Sequence, residues 1–174
     1  MTAEELNAFI RDVPDFPKPG ILFKDITPLL RSPDALREAC ALLAEPFRDQ
    51  RVSIVAGIES RGFIFGAIVA QNLGAGFVPI RKPGKLPWTT RRHEYVLEYG
   101  SDALEIHDDA LTPEDRVLVI DDVLATGGTL AAATQLVRGF ASTLVGAATV
   151  IELGFLSGRE KLASQMILHT ILRY

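Results

Sequence analysis

A chain of 174 residues with 48% hydrophobic and 23% charged residues can bury one sizeable core, and its length fits a single soluble domain. A formal net charge of −4 argues against a general nucleic-acid surface, which would carry a basic excess. The lone cysteine, Cys40, excludes an intrachain disulfide and a cysteine-based zinc site, and its apolar helical surroundings make it a core thiol.

Thr2 followed by Glu5 has the spacing of a capping box, and Leu6, Phe9, Ile10 and Val13 fall on one helical stripe, so a short amphipathic helix should open the chain. The stretch Asp15 to Gly20, DFPKPG, breaks it and leads an extended segment into Ile21 to Thr27. Ser32 and Pro33 mark the cap and first position of the next helix, with Leu36, Ala39, Cys40, Leu43 and Phe47 on its buried side. Val52 to Ile58 predicts a core strand. It ends in Gly57-Ile58-Glu59-Ser60-Arg61-Gly62 before an apolar helix, Phe63 to Leu73, that Gly74 terminates. Phe77 to Ile80 predicts another short strand, completing a right-handed βαβ unit.

Arg81 to Arg92, RKPGKLPWTTRR, carries five cations and no acid, with prolines and a glycine that discourage regular structure. It reads as an exposed, mobile loop in which Trp88 is either an anchor or an exposed ring. Glu94 to Gly100 and Ala103 to Ile106 alternate apolar and polar residues, as in a two-stranded ribbon projecting from the sheet. The flanking His93 and His107 have no metal-ligand spacing and read as surface residues. Leu144 to Ile151 and Ile167 to Leu172 predict two further strands, with Glu152 to Gly158 as a loop. The alternation of strands and helices gives one α/β domain. No signal peptide or membrane-spanning run is evident, so no membrane partner and a cytoplasmic location are expected.

The most informative stretch is Arg116 to Thr134, RVLVIDDVLATGGTLAAAT. Val117 to Ile120 reads as a central parallel strand buried on both faces. Asp121 and Asp122 stand at its carboxyl end, where open α/β sheets bind ligands. Val123 to Thr129 would be a loop and Leu130 to Phe140 a helix. Gly127 and Gly128 allow backbone N–H groups to converge on an anion, Thr126 and Thr129 add hydroxyl donors, and the helix amino end adds a favourable dipole. The carboxylates would repel a phosphate but suit ribose hydroxyls or a developing cation, so the stretch looks built for a sugar phosphate. It has neither the lysine of a Walker A loop nor a GxGxxG turn.

The segment VLVIDDVLATGGT resembles the phosphoribosyl diphosphate signature of the type I phosphoribosyltransferases. Asp15 to Leu30 (DFPKPGILFKDITPLL), Gly57 to Gly66 (GIESRGFIFG), Val78 to Pro87 (VPIRKPGKLP), Tyr95 to Leu111 (YVLEYGSDALEIHDDAL) and IELGFLSGREKL narrow the resemblance to the adenine phosphoribosyltransferase family over almost the whole chain. It implies an α/β fold of type I phosphoribosyltransferase form: a mainly parallel central sheet flanked by helices, an amino-terminal hood at about residues 1–30, and a flexible basic loop and β-ribbon at about 82–110. The implied reaction transfers the phosphoribosyl group of 5-phosphoribosyl 1-diphosphate to N9 of adenine, giving AMP and diphosphate.

By the same resemblance, Ala125, Thr126, Gly127, Gly128 and Thr129 cradle the 5-phosphate, and Asp121 and Asp122 face the ribose. Ser60, Arg61, Arg81, Lys82 and Lys85 meet the diphosphate, while Arg91 and Arg92 stay solvated. Leu22 and Lys24, with Phe23 between them and Leu153 on the other face, read the adenine edge through backbone groups. Glu98, beside Tyr99, takes or orients the N9 proton. Magnesium is implied, held mainly by substrate oxygens and water with no direct protein ligand, and so is a homodimer in which Arg81 or its loop reaches a partner's site. Competing expectations are a phosphoribosyltransferase for another purine such as xanthine, and a non-catalytic regulator that binds phosphoribosyl diphosphate.

Overall fold

The computed structural model describes residues 1–96, 101–162 and 166–174. Helix α1 (Ala3–Asn7) opens with the capping box predicted from Thr2 and Glu5: Glu5 N–H donates to the Thr2 hydroxyl at 3.2 Å and Thr2 N–H to the Glu5 carboxylate at 2.7 Å. The helix is shorter than the apolar stripe suggests. Val13 lies in strand β1 (Arg11–Pro14), opposite Phe23 of the antiparallel β2 (Leu22–Asp25). The spacing of Leu6, Phe9, Ile10 and Val13 fits a helix, but Pro14 cannot donate a helical N–H, and pairing with a strand nine residues away competes successfully. A short helix, α2 (Thr27–Arg31), follows, and Asp25 before it accepts from Thr27 N–H at 2.9 Å and from its hydroxyl at 2.7 Å.

Helix α3 (Pro33–Ala44) begins as expected, with the Ser32 hydroxyl accepting from Ala35 N–H at 3.3 Å and Pro33 in the first turn. Ala39, Cys40, Leu43 and, in the following 3₁₀ turn, Phe47 are fully buried. Burial pushes the Cys40 thiol up to about 12, so it is inert packing. Strand β3 (Ile54–Ile58) leads to α4 (Gly62–Leu73), which ends on Gly74 in the left-handed region at φ 66°. There follow β4 (Gly76–Ile80), the ribbon β5 (Thr90–Val96) and β6 (Ser101–His107), β7 (Arg116–Leu124), α5 (Gly128–Arg138), β8 (Thr143–Glu152) and β9 (Ile167–Arg173).

The central sheet has the order β4-β3-β7-β8-β9 and is parallel throughout. Side chains of β7 alternate between two cores. Leu118 and Ile120 pack with α3 and α4 residues such as Leu43 and Phe65, whereas Val117 and Val119 pack with α5 and ribbon residues such as Leu136 and Leu104. That double burial explains the uninterrupted apolar run of β7.

The ribbon does not simply project from the sheet. Leu104 and Ile106 are fully buried against α5, and the Arg91 guanidinium donates to Gly139 O at 2.7 Å and lies 3.9 Å from the Phe140 ring centre. Arg91 stays exposed, as expected, yet its planar head also stacks on an aromatic face just beyond α5. Arg92 pairs with Glu94 at 2.9 Å on the exposed side. Trp88 is 65% exposed.

Candidate active site

Strand β7 continues through the acid pair to Leu124, so Val123 and Leu124, expected in the loop, are strand residues. Asp121 and Asp122 are nearly buried, at 8% and 4% exposure. The first turn of α4 seals them: a Cβ at Gly62 would stand 2.9 Å from Ile120 O and 3.1 Å from the Asp121 carboxylate, so only glycine lets the helix start approach this closely. Burial, and then the neighbouring Asp122 charge, hold the Asp121 carboxyl well above the ordinary carboxylate range. Burial also raises Asp122, against the pull of Arg61, whose Nε lies 2.8 Å from the Asp122 carboxylate.

Beyond Leu124 the chain turns through Ala125 and Thr126 to Gly127, whose φ of 81° is what a residue with a Cβ avoids, and α5 starts at Gly128. The helix amino end thus opens onto the loop that the sequence marks for a phosphate. Ala125 to Thr129, the acid pair, Ser60, Arg61, Glu59 and Lys82 line one cavity of about 310 Å³. The strand-end loops of β3 and β7 converge there because the two strands are neighbours in the sheet.

Lys82 is the cation that the basic loop brings into the cavity. Its ammonium pairs with Asp102 of β6 and reaches the Tyr95 hydroxyl at 3.1 Å, and that hydroxyl lies 3.3 Å from the Thr129 hydroxyl. Burial draws the Lys82 pKa down, but the bonds to Asp102 and Tyr95 together outweigh it and leave the group above its usual value, so it is charged at neutral pH. The loop is tethered at several points. Glu59 accepts from Arg81 Nε at 2.9 Å and from Lys82 N–H at 3.0 Å, and Arg81 and Glu105 exchange backbone bonds of 2.9 and 2.7 Å. Arg81 is held by Glu59 beside the cavity and does not line it; Lys85 is exposed outside it. These two cations therefore stand apart from the others, since a carboxylate at the end of β3 claims the Arg81 guanidinium.

The hood meets the cavity at its edge. The Phe23 ring centre is 5.5 Å from the Arg61 guanidinium carbon and 5.2 Å from that of Phe16. Lys24 is turned away: its ammonium is 2.7 Å from Asp12 and 3.8 Å from the centre of the Tyr174 ring. Leu22 is 48% exposed, and Leu153, half-buried, is fixed by its N–H to Leu124 O at 2.9 Å. None of Leu22, Phe23, Lys24 and Leu153 lines the phosphate-loop cavity itself. Glu98 and Tyr99 lie outside the described residues. Sequence reasoning missed Tyr95, Asp102 and Glu59, whose only signal is being polar residues beside segments already singled out. Among the described residues, no group of three or more His, Cys, Asp or Glu side chains could hold a metal.

A buried acid pair, a glycine turn at a helix amino end, and the cations Arg61 and Lys82 thus share one cavity, an arrangement able to hold an anionic ligand. The phosphoribosyl transferase domain family matches residues 25–165. An adenine phosphoribosyltransferase from Acaryochloris marina is 60% identical over 158 residues, covering 91% of this chain and 93% of the relative. The crystal structure of the Rhodothermus marinus adenine phosphoribosyltransferase superposes with a TM-score of 0.94 at 53% identity, covering 99% of this chain and 98% of that one. The Saccharomyces cerevisiae enzyme, complexed with D-2,5-dideoxy-2,5-imino-altritol 1,6-bisphosphate and adenine, superposes with 0.90 at 42% identity, covering 98% of each. The chain belongs to the adenine phosphoribosyltransferases of the phosphoribosyl transferase family.

Proposed function

We infer that the protein transfers the phosphoribosyl group of 5-phosphoribosyl 1-diphosphate to N9 of adenine, releasing AMP and diphosphate. The observation that carries this reading is the single cavity joining Asp121 and Asp122 to the Ala125–Thr129 turn and to Arg61 and Lys82.

Departure of diphosphate from the anomeric carbon leaves an oxocarbenium-like ribose, and separating those charges is the main barrier. The turn amides and the Thr126 and Thr129 hydroxyls hold the 5-phosphate. Asp121 and Asp122, whose pKa values burial raises, accept hydrogen bonds from the ribose hydroxyls and face the developing cation. Arg61, Lys82 and Ser60 take the leaving group. Arg61 and Lys82 exchange their resting partners, Asp122 and Asp102, for diphosphate oxygens. Arg81 and Lys85 serve the diphosphate only if the basic loop moves, or in a partner's site. Asp121 and Asp122 would hold Mg²⁺ through water, and the ion would offset the charge on the diphosphate.

Adenine is read by the hood backbone. Strand β2 belongs to a two-stranded sheet, so one of its edges is open to a ligand, and the Lys24 ammonium is already committed to Asp12 and Tyr174. Backbone donors and acceptors at Leu22 and Lys24, with Phe23 and Leu153 flanking the ring, match the 6-amino donor of adenine. A 6-oxo purine leaves buried groups unpaired at about 1–3 kcal/mol each. Glu98 accepts or orients the N9 proton, with Tyr99 beside it. A Glu98→Gln variant that keeps kcat/KM for adenine within about threefold removes that role.

The β4 and α4 edge supports a homodimer. Ile64 and Phe77 are 38% and 37% exposed, Phe63 stacks edge-on against Phe77 at 5.9 Å, and α4 carries no charged residue. A crystal structure with adenine and a non-reactive donor analogue tests the whole assignment. The 5-phosphate is expected on the Ala125–Thr129 amides and the base against β2; a phosphate bound elsewhere refutes it.

A further inference from the structure

The geometry of the phosphate turn depends on a segment 31 residues further along the chain, counted from Gly127 to Gly158. Gly127 and Gly158 are packed backbone to backbone. A Cβ on Gly127 would stand 2.2 Å from Gly158 O, and a Cβ on Gly158 would stand 2.1 Å from Ala125 O and 2.8 Å from Gly127 N. Neither neighbour is a flexible side-chain end, so the only way to fit a methyl group is to move the turn. Gly158 begins a 3₁₀ turn, Gly158–Lys161, and is preceded by Ser157 in the left-handed region at φ 50°.

What holds that turn against the phosphate loop is the next residue. Arg159 donates to both carboxylate oxygens of Glu152, Nε at 3.1 Å and Nη2 at 2.5 Å, and to Leu168 O at 3.2 Å. Glu152 ends β8 and is 2% exposed; Thr170 of β9 donates to it at 3.0 Å, and Arg173 stands 3.7 Å away. The chain of contacts therefore runs from the two last strands of the sheet, through Glu152 and Arg159, to Gly158 and the turn amides. Bidentate pairing fixes the guanidinium in direction as well as in distance.

We propose that Gly158 and the Glu152–Arg159 pair are positioning residues that hold the Ala125–Thr129 turn in its anion-binding shape, and that their loss weakens donor binding selectively. None of them lines the cavity, so they act only through the turn. The inference rests on the assignment of that turn to the 5-phosphate. Adenine is read mainly by the hood; Leu153 follows Glu152 in sequence, but its own N–H is held by Leu124 O at 2.9 Å, so the base side depends less on the pair than the turn does.

The test uses the full chain and initial rates, varying phosphoribosyl diphosphate at saturating adenine and the reverse. Gly158→Ala and Arg159→Met are expected to raise KM for phosphoribosyl diphosphate about tenfold or more, since a displacement on the order of 1 Å costs up to about 100-fold in such sites. KM for adenine should stay within about twofold, and Arg159→Lys should fall between wild type and Arg159→Met. The Arg159 side chain is 42% exposed, so Arg159→Met keeps the test decisive should Gly158→Ala not fold. An Arg159→Met enzyme whose KM for the donor stays within about twofold, or whose two KM values rise together, overturns the proposal. A Thr126→Val variant separates the two layers. If it raises the donor KM while Arg159→Met does not, the positioning role alone fails; if it leaves the donor KM unchanged, the turn's assignment fails and the proposal with it.

Discussion

Replacing Gly127 by alanine should damage donor binding through geometry alone. The added methyl meets Gly158 O at 2.2 Å, whereas real Cβ contacts essentially never fall under 3.0 Å, so the two backbones must part by roughly 0.8 Å. Holding alanine at a φ of 81° costs about 1–2 kcal/mol besides. If that movement removes one charge-assisted bond from a turn amide to the 5-phosphate, about 1.5–3 kcal/mol of binding is lost, or roughly 10- to 150-fold. Steady-state AMP formation measured against phosphoribosyl diphosphate should show that rise in KM, with circular dichroism confirming a native fold. A folded Gly127→Ala enzyme whose donor KM stays within about threefold of wild type would refute the phosphate-turn reasoning.

Asp121→Asn should separate stability from activity. Because burial raises the folded pKa of Asp121 above its ordinary value of 3.8, its contribution is fully present below 3.8 and is lost as pH rises through the folded value. At neutral pH the unliganded variant should therefore be more stable, by on the order of 1 kcal/mol or about 2–4 °C in Tm, while kcat falls at least tenfold; a lower Tm with unchanged kcat contradicts this. Lys82→Met should lower kcat/KM for the donor about 10- to 100-fold through loss of a diphosphate contact. Since the Lys82 pKa lies above its ordinary 10.5, its stabilisation persists below that value and fades only as pH rises past it, so wild-type rates between pH 6 and 9 should show no titration from this group. Ser32→Ala, which removes the α3 cap, should cost about 1 kcal/mol in thermal melts and leave KM for both substrates unchanged.

Local rules carried the central elements. The cap and proline at Ser32 and Pro33, the left-handed Gly74 and the apolar run of β7 each depend on neighbours within a turn or on burial from both sides, and each was legible. That the acid pair, glycine turn and helix start share one cavity was legible for the same reason, because they are contiguous. What sequence could not show depends on distant partners. Val13 satisfies a helical stripe until Phe23 pairs with it, and Arg81 reads as a free cation until Glu59 claims it. The Phe140 ring beside the exposed Arg91 has no local signal, and Gly158 is an ordinary turn glycine until Gly127 is packed against it.

The most direct test of the account is turnover by the purified protein with phosphoribosyl diphosphate, Mg²⁺ and, separately, adenine, hypoxanthine, guanine and xanthine. AMP and diphosphate are expected in equal amounts from adenine, with far slower reaction of the 6-oxo purines. No AMP from adenine, or faster turnover of any 6-oxo purine, would contradict it.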